Sequence, residues 1–191
     1  YRPADVECEY CVEWRHRQCQ ATGCPWLAER IEAGVVIYAS AVRELFGGVA
    51  DEAFIARLGL LVLHFHGSFW LDREHEFNTR VLLRSVGYGA WRNPRFFAAL
   101  YLFGSNRGLL KRAWNACMPG GFKPTFLVMR GVSAHDYVLI QAAKAITGNG
   151  SGLALEDLAD CEAVDDTAFR LIVNALLIAR YGPDVLKLGG Q

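Results

Sequence analysis

With 191 residues, 52% of them hydrophobic and 21% charged, the chain has the apolar content of a folded domain and too much of it to remain disordered. A formal net charge of zero gives the whole molecule no general attraction for nucleic acid or a membrane surface. Its most apolar stretch, residues 53–71, is interrupted by Arg57, His64 and His66, which are costly in hydrocarbon, so no transmembrane helix is expected.

The first 24 residues are poor in aliphatic side chains and carry Cys8, Cys11, Cys19 and Cys24 in the spacing C-x2-C-x7-C-x4-C. A C-x2-C pair puts two sulfurs on one side of a tight turn, and a second pair after a short loop closes a tetrahedron. Structural zinc is the expected ligand, because metal binding supplies the ordering free energy that a segment without a core lacks. An iron–sulfur cluster is the first alternative, since Cys24-Pro25 matches the Cys-Pro ending of ferredoxin motifs. Two disulfides are a second. Against them stand an opening, YRPADVECEY, without a secretion signal, and two further cysteines, Cys117 and Cys161, expected to be buried. His16, in C-x2-C-x4-H, is a reserve ligand. The organisation expected is a zinc module over residues 1–24 packed on a helical domain over 25–191, in the cytoplasm.

Pro25 suits the first position of a helix running to Ala33, with Gly34 as its stop, and a second apolar-periodic stretch runs from Val35 to Phe46. Asp51 is an expected N-cap for a helix through Ile55, Leu58, Leu61, Val62 and Phe65. Asp72 is expected to cap the next helix, with Phe77, Val81 and Leu82 as its apolar face. Residues 86–93, VGYGAWRN, read as a loop, and Asn93-Pro94 opens a helix through Phe97, Leu100 and Tyr101 to Gly104. An amphipathic run covers 105–117. Thr125 to Met129 is the best candidate strand. Ser133 caps a helix to Ile146, GNGSG at 148–152 is a loop, and a short helix near 155–160 precedes a strongly periodic one from Asp166 to Tyr181. The fold class is mainly α, a multi-helix bundle with at most a small β-hairpin.

Charge is unevenly spread along this order. Residues 77–134 contain no Asp or Glu but nine bases: Arg80, Arg84, Arg92, Arg95, Arg107, Lys111, Arg112, Lys123 and Arg130. Residues 1–76 carry 12 acids against 7 bases, and residues 135–191 carry 8 against 4. Either the basic middle meets the acidic flanks inside the fold or is simply solvated, or it faces an anionic partner, nucleic acid or an acidic protein surface. For the partner reading the candidate contacts are Arg84, Tyr88, Trp91, Arg92, Arg95, Arg107, Lys111 and Arg112, where arginines alternate with rings able to stack.

Catalytic signals are weaker. His64, His66 and His75 offer a metal-dependent hydrolase or nuclease as the alternative function, although helical residues two apart point about 200° apart. Ser133, His135 and Asp136 are triad residue types on one helical turn, and Ser133 is better explained as a cap. No P-loop, nucleophile elbow or dinucleotide fingerprint is present. The tail over 155–175 has a helix–turn–helix cadence, but its second helix would meet DNA acid-first with Asp166, Thr167, Arg170 and Asn174 exposed.

Two passages, CPWLAERIEAG after the cysteines and VDDTAFRLIVNALLIARYG near the end, resemble uncharacterised four-cysteine proteins carried on conjugative elements and prophages of anaerobic gut bacteria. The resemblance implies a context, not a site: cargo of mobile DNA that binds host or rival macromolecules, inhibitors of CRISPR nucleases among them. The expected function is therefore a non-enzymatic, zinc-stabilised binding protein with its basic middle toward an anionic partner.

Overall fold

A computed structural model describes residues 30–31, 34, 36–150 and 153–190. The four cysteines, His16 and the module expected over residues 1–24 lie outside the described residues, as does most of the helix expected over 25–33.

The described chain is mainly helical. Helix α1 spans Tyr38–Phe46 and α2 spans Glu52–Leu63. Helix α3 covers Arg73–Val86, a 3-10 turn follows at Tyr88–Arg92, and α4 runs Pro94–Gly104. Helix α5 (Arg107–Ala113) leads to an antiparallel hairpin, β1 (Cys117–Met118) with β2 (Gly121–Phe122), in the register Cys117 to Phe122. Helices α6 (Ala134–Ile146), α7 (Leu155–Ala159) and α8 (Asp166–Tyr181) follow, and a 3-10 segment at Pro183–Gly190 closes the chain. Among the described residues, no helix is long and apolar enough to cross a membrane.

Side-chain caps set the helix starts. Asp51 accepts from the Phe54 amide at 2.8 Å, Asp72 from His75 at 2.8 Å, Asn93 from Phe96 at 3.1 Å and Ser133 from Asp136 at 3.1 Å. Each satisfies an amide that the first helical turn leaves without a backbone acceptor. Asn106 and Asp165 do the same for α5 and α8.

Helix α4 is the centre. Every residue from Phe96 to Gly104 is buried, so it presents apolar surface all round, and α3, α6 and α8 pack about it. Its last residue touches α3 so closely that a Cβ at Gly104 would lie 2.8 Å from the Thr79 amide nitrogen. Asn78 donates to the Gly104 carbonyl at 3.2 Å in the same contact.

Several expectations are corrected. Thr125–Met129 is not a strand: Pro124–Phe126 is a 3-10 turn, and among the described residues Leu127 to Met129 have no partner strand, the Val128 carbonyl being taken by Arg112. Phe77 does not face the core and is 63% exposed; His75, Asn78, Thr79, Leu82 and Val86 form the buried side of α3. Helix α2 stops at Leu63, before Phe65. Cys117 is buried but Cys161 is exposed, since it sits in the turn between α7 and α8. Asn174, expected on the outer face of α8, is fully buried and hydrogen-bonded to Tyr38.

Candidate nucleic-acid interface

The acid-free segment divides into bases spent inside the fold and bases that are not. Arg80 reaches Glu76 at 2.6 Å one turn back on α3, and Arg107 reaches Glu74 at 2.7 Å. Arg112 donates to the carbonyls of Val128, Arg130 and Gly131 at 2.7–3.0 Å, holding the chain after the hairpin against α5. Arg84, Arg92, Arg95, Lys111, Lys123 and Arg130 form no ion pair among the described residues. Internal pairing thus accounts for two of the nine, and exposed pairs of that kind contribute little to stability.

The six remaining bases form two groups. Arg84 lies in the last turn of α3, Arg92 closes the 3-10 turn and Arg95 is in the first turn of α4, so all three surround the α3–α4 corner. Lys111 lies in the last turn of α5, Lys123 just after β2 and Arg130 in the loop before α6, all following α4 in the chain. Of the eight contact residues expected from sequence, Arg84, Tyr88, Trp91, Arg92 and Arg95 therefore share one corner. Lys111 belongs to the other group, and Arg107 and Arg112 are engaged within the fold.

Trp91 marks that corner. It is 47% exposed, yet its ring is fixed edge-on against the buried Phe97 with centroids 5.0 Å apart. It borders a cleft of ≈ 220 Å³ also lined by Trp70, Leu83, Glu76 and Arg80. Asp184 and Lys187, paired at 2.9 Å, close it from the C-terminal 3-10 segment. Trp70, Glu76 and Arg80 are not among the contacts expected from sequence. The i, i+4 spacing of Glu76, Arg80 and Arg84 along α3 was the signal available for two of them.

Trp70 is held in place by a buried polar network. Arg170 of α8 donates to the carbonyls of Ser68 and Trp70 at 2.8 and 3.2 Å. Tyr101 donates to the Phe69 carbonyl, and Asn174 donates to the Tyr101 hydroxyl at 3.2 Å while accepting from Tyr38 at 2.8 Å. Burial pushes both tyrosine hydroxyls well above their ordinary range of acidity. His75, fully buried, accepts from the Leu71 amide through Nδ1 at 3.2 Å. Its Nε2 lies 2.8 Å from the Tyr101 carbonyl and must carry the proton, because a carbonyl only accepts. Burial pushes His75 down from 6.5 to about 4, so it is neutral near pH 7. The loop over 66–72 is thus held from three sides.

The three histidines do not assemble. His64 and His66 lie past the end of α2, both exposed, and line a separate cleft of ≈ 390 Å³ with Arg170 and Asp166. His75 has both ring nitrogens occupied elsewhere. No group of three or more His, Cys, Asp or Glu among the described residues could hold a metal ion. The buried Arg57 beside that cleft serves the fold: it donates to the Leu158 and Val164 carbonyls, pairs with Asp166 at 2.9 Å and lies over the Phe169 ring. Ser133, His135 and Asp136 form no triad either, since Ser133 caps α6 and His135 pairs with Asp165 at 2.6 Å. Burial pushes the Asp165 carboxyl up, but the His135 bond and the Ala168 amide together hold it below its usual range.

No family model, curated protein or solved structure matches the chain.

Proposed function

We propose that this is a non-enzymatic binding protein that takes single-stranded nucleic acid on the α3–α4 corner. The observation that carries the reading is the corner itself: Arg84, Arg92 and Arg95, without ion pairs among the described residues, about a half-exposed indole at Trp91 packed on Phe97. Guanidinium groups follow the phosphate backbone while an exposed ring stacks on bases of any sequence. The four-cysteine segment supplies a structural zinc in this reading. The likeness to mobile-element cargo makes the strand bound by a nucleic-acid-guided nuclease one candidate target.

Fluorescence anisotropy with a labelled single strand of about 20 nucleotides, in DNA and RNA versions, tests the corner. Arg84→Glu, Arg92→Glu and Arg95→Glu combined should weaken binding more than ten-fold. The slope of log K against log salt should fall by about 2, three lost contacts at roughly 0.7 each. Lys111→Glu with Lys123→Glu should change both far less. An unaltered slope in the triple variant would overturn the reading and leave an acidic protein surface as the partner.

Elemental analysis of the purified full chain should find about one zinc, since a closed set of four thiolates holds one ion. Its removal by a chelator should lower the melting temperature. Iron with a visible chromophore would assign the cysteines to a cluster instead.

A further inference from the structure

Binding along a phosphate backbone needs only charges, yet the corner adjoins a cleft that charge alone does not explain. Two indoles are among its lining residues. Trp91 is braced edge-on by Phe97, and Trp70 packs edge-on against His75, with ring centroids 5.1 Å apart. The cleft they line, ≈ 220 Å³, is also lined by the apolar Leu83 and Phe97 and by the Glu76 carboxylate and the Arg80 guanidinium, which pair at 2.6 Å. A flat ring with hydrogen-bonding edges suits such a space. The indoles offer faces to stack on, the carboxylate accepts from an exocyclic amine, and the guanidinium donates to a ring carbonyl or nitrogen.

The charges continue from the cleft outward. Glu76, Arg80 and Arg84 stand at i, i+4 and i+8 along α3, on one stripe that leads from the cleft to the arginines of the corner. A strand held by phosphates at Arg84 and Arg92 therefore passes the mouth of the cleft within one helical turn.

On the proposed nucleic-acid reading, we infer that this cleft captures one unstacked nucleobase against Trp70 and Trp91, with Glu76 and Arg80 reading its edge. The lining is preformed: the Trp70 carbonyl is tied to Arg170 and the Leu71 amide to His75. Little ordering cost then falls on binding, and the base is held beside the phosphate contacts.

The test compares two single strands of equal length, one ordinary and one lacking every base, binding to the full chain. The wild-type protein should bind the ordinary strand roughly 5- to 100-fold more tightly, the range expected for one base stacked on aromatic rings. Trp91→Ala should remove most of that preference while leaving affinity for the abasic strand within about two-fold, since its arginines stand. As a readout that needs no variant, bromouracil placed in the ordinary strand should photocrosslink to the peptide bearing Trp70 or Trp91. Equal affinity for the two strands, or crosslinks confined to other peptides, would overturn the base site and leave backbone binding standing. Absence of binding to both strands at low salt would sink the nucleic-acid reading along with it.

Discussion

Gly104→Ala is expected to destabilise the protein by about 3 kcal/mol, although it adds one methyl group to a helix. The added carbon would lie 2.1 Å from Thr79 Oγ1, 2.8 Å from the Thr79 amide nitrogen and 3.0 Å from its Cα. A rotamer change relieves only the first of these. The other two are backbone of α3, so α3 and α4 must separate, and the separation also loosens the Asn78 bond to the Gly104 carbonyl. For a chain of this size the loss corresponds to a fall in melting temperature of roughly 6–12 °C. Thr79→Ala combined with Gly104→Ala should recover only part of it. Gly59→Ala supplies the opposite sign from the same chemical change: Gly59 is exposed in mid-helix, with nothing within 4 Å of the added carbon. It should stabilise by about 0.5–1 kcal/mol through the lower entropy of the unfolded chain. Urea unfolding of the two variants decides the matter. If Gly104→Ala matched wild type, close α3–α4 packing would not be what this glycine serves.

That contact also explains what could and could not be read from sequence. Helix starts were legible because a cap is local: Asp51, Asp72, Asn93 and Ser133 each stand three residues before the amide they satisfy. The helix α4 was legible too, from a run of apolar residues between Pro94 and Gly104. The buried face of α3 was not. Counting its apolar residues puts Phe77 inside, but a helix that approaches its neighbour this closely needs small or hydrogen-bonding side chains at the contact. Asn78 and Thr79 fill that role and Phe77 faces outward. Thr125–Met129 shows the same limit for strands: β-forming residues make a strand only where a partner edge exists, and the partner here is one arginine. For the candidate site, the acid-free stretch over 77–134 was visible in composition, whereas which of its bases are engaged, Arg80, Arg107 and Arg112, required the fold. Trp70 was hidden in part because Arg170, which holds its carbonyl, stands 100 positions away.

His75 makes stability depend on pH in a defined direction. Burial is the main cause of its lowered pKa; the Tyr101 carbonyl and the Asp72 carboxylate favour the charged ring, and Arg170 opposes it. In the unfolded chain an ordinary histidine takes up its proton near pH 6.5, while the folded chain resists until about pH 4. The unfolded state therefore binds more protons between those values, and stability falls as pH is lowered through them. The contribution is intact above pH 6.5 and about 3 kcal/mol smaller by pH 4. Geometry gives the reason. A proton on Nδ1 would face the Leu71 amide, donor against donor, so charging the ring breaks the bond that holds the Trp70 loop from one side. Urea midpoints measured between pH 7 and pH 4.5 should decline for wild type. In His75→Gln, which keeps a donor toward the Tyr101 carbonyl and titrates nothing, the decline over that window should be much shallower, from a lower starting value. Equal slopes in the two proteins would mean that some other group governs acid stability, and that His75 holds the loop only by its shape.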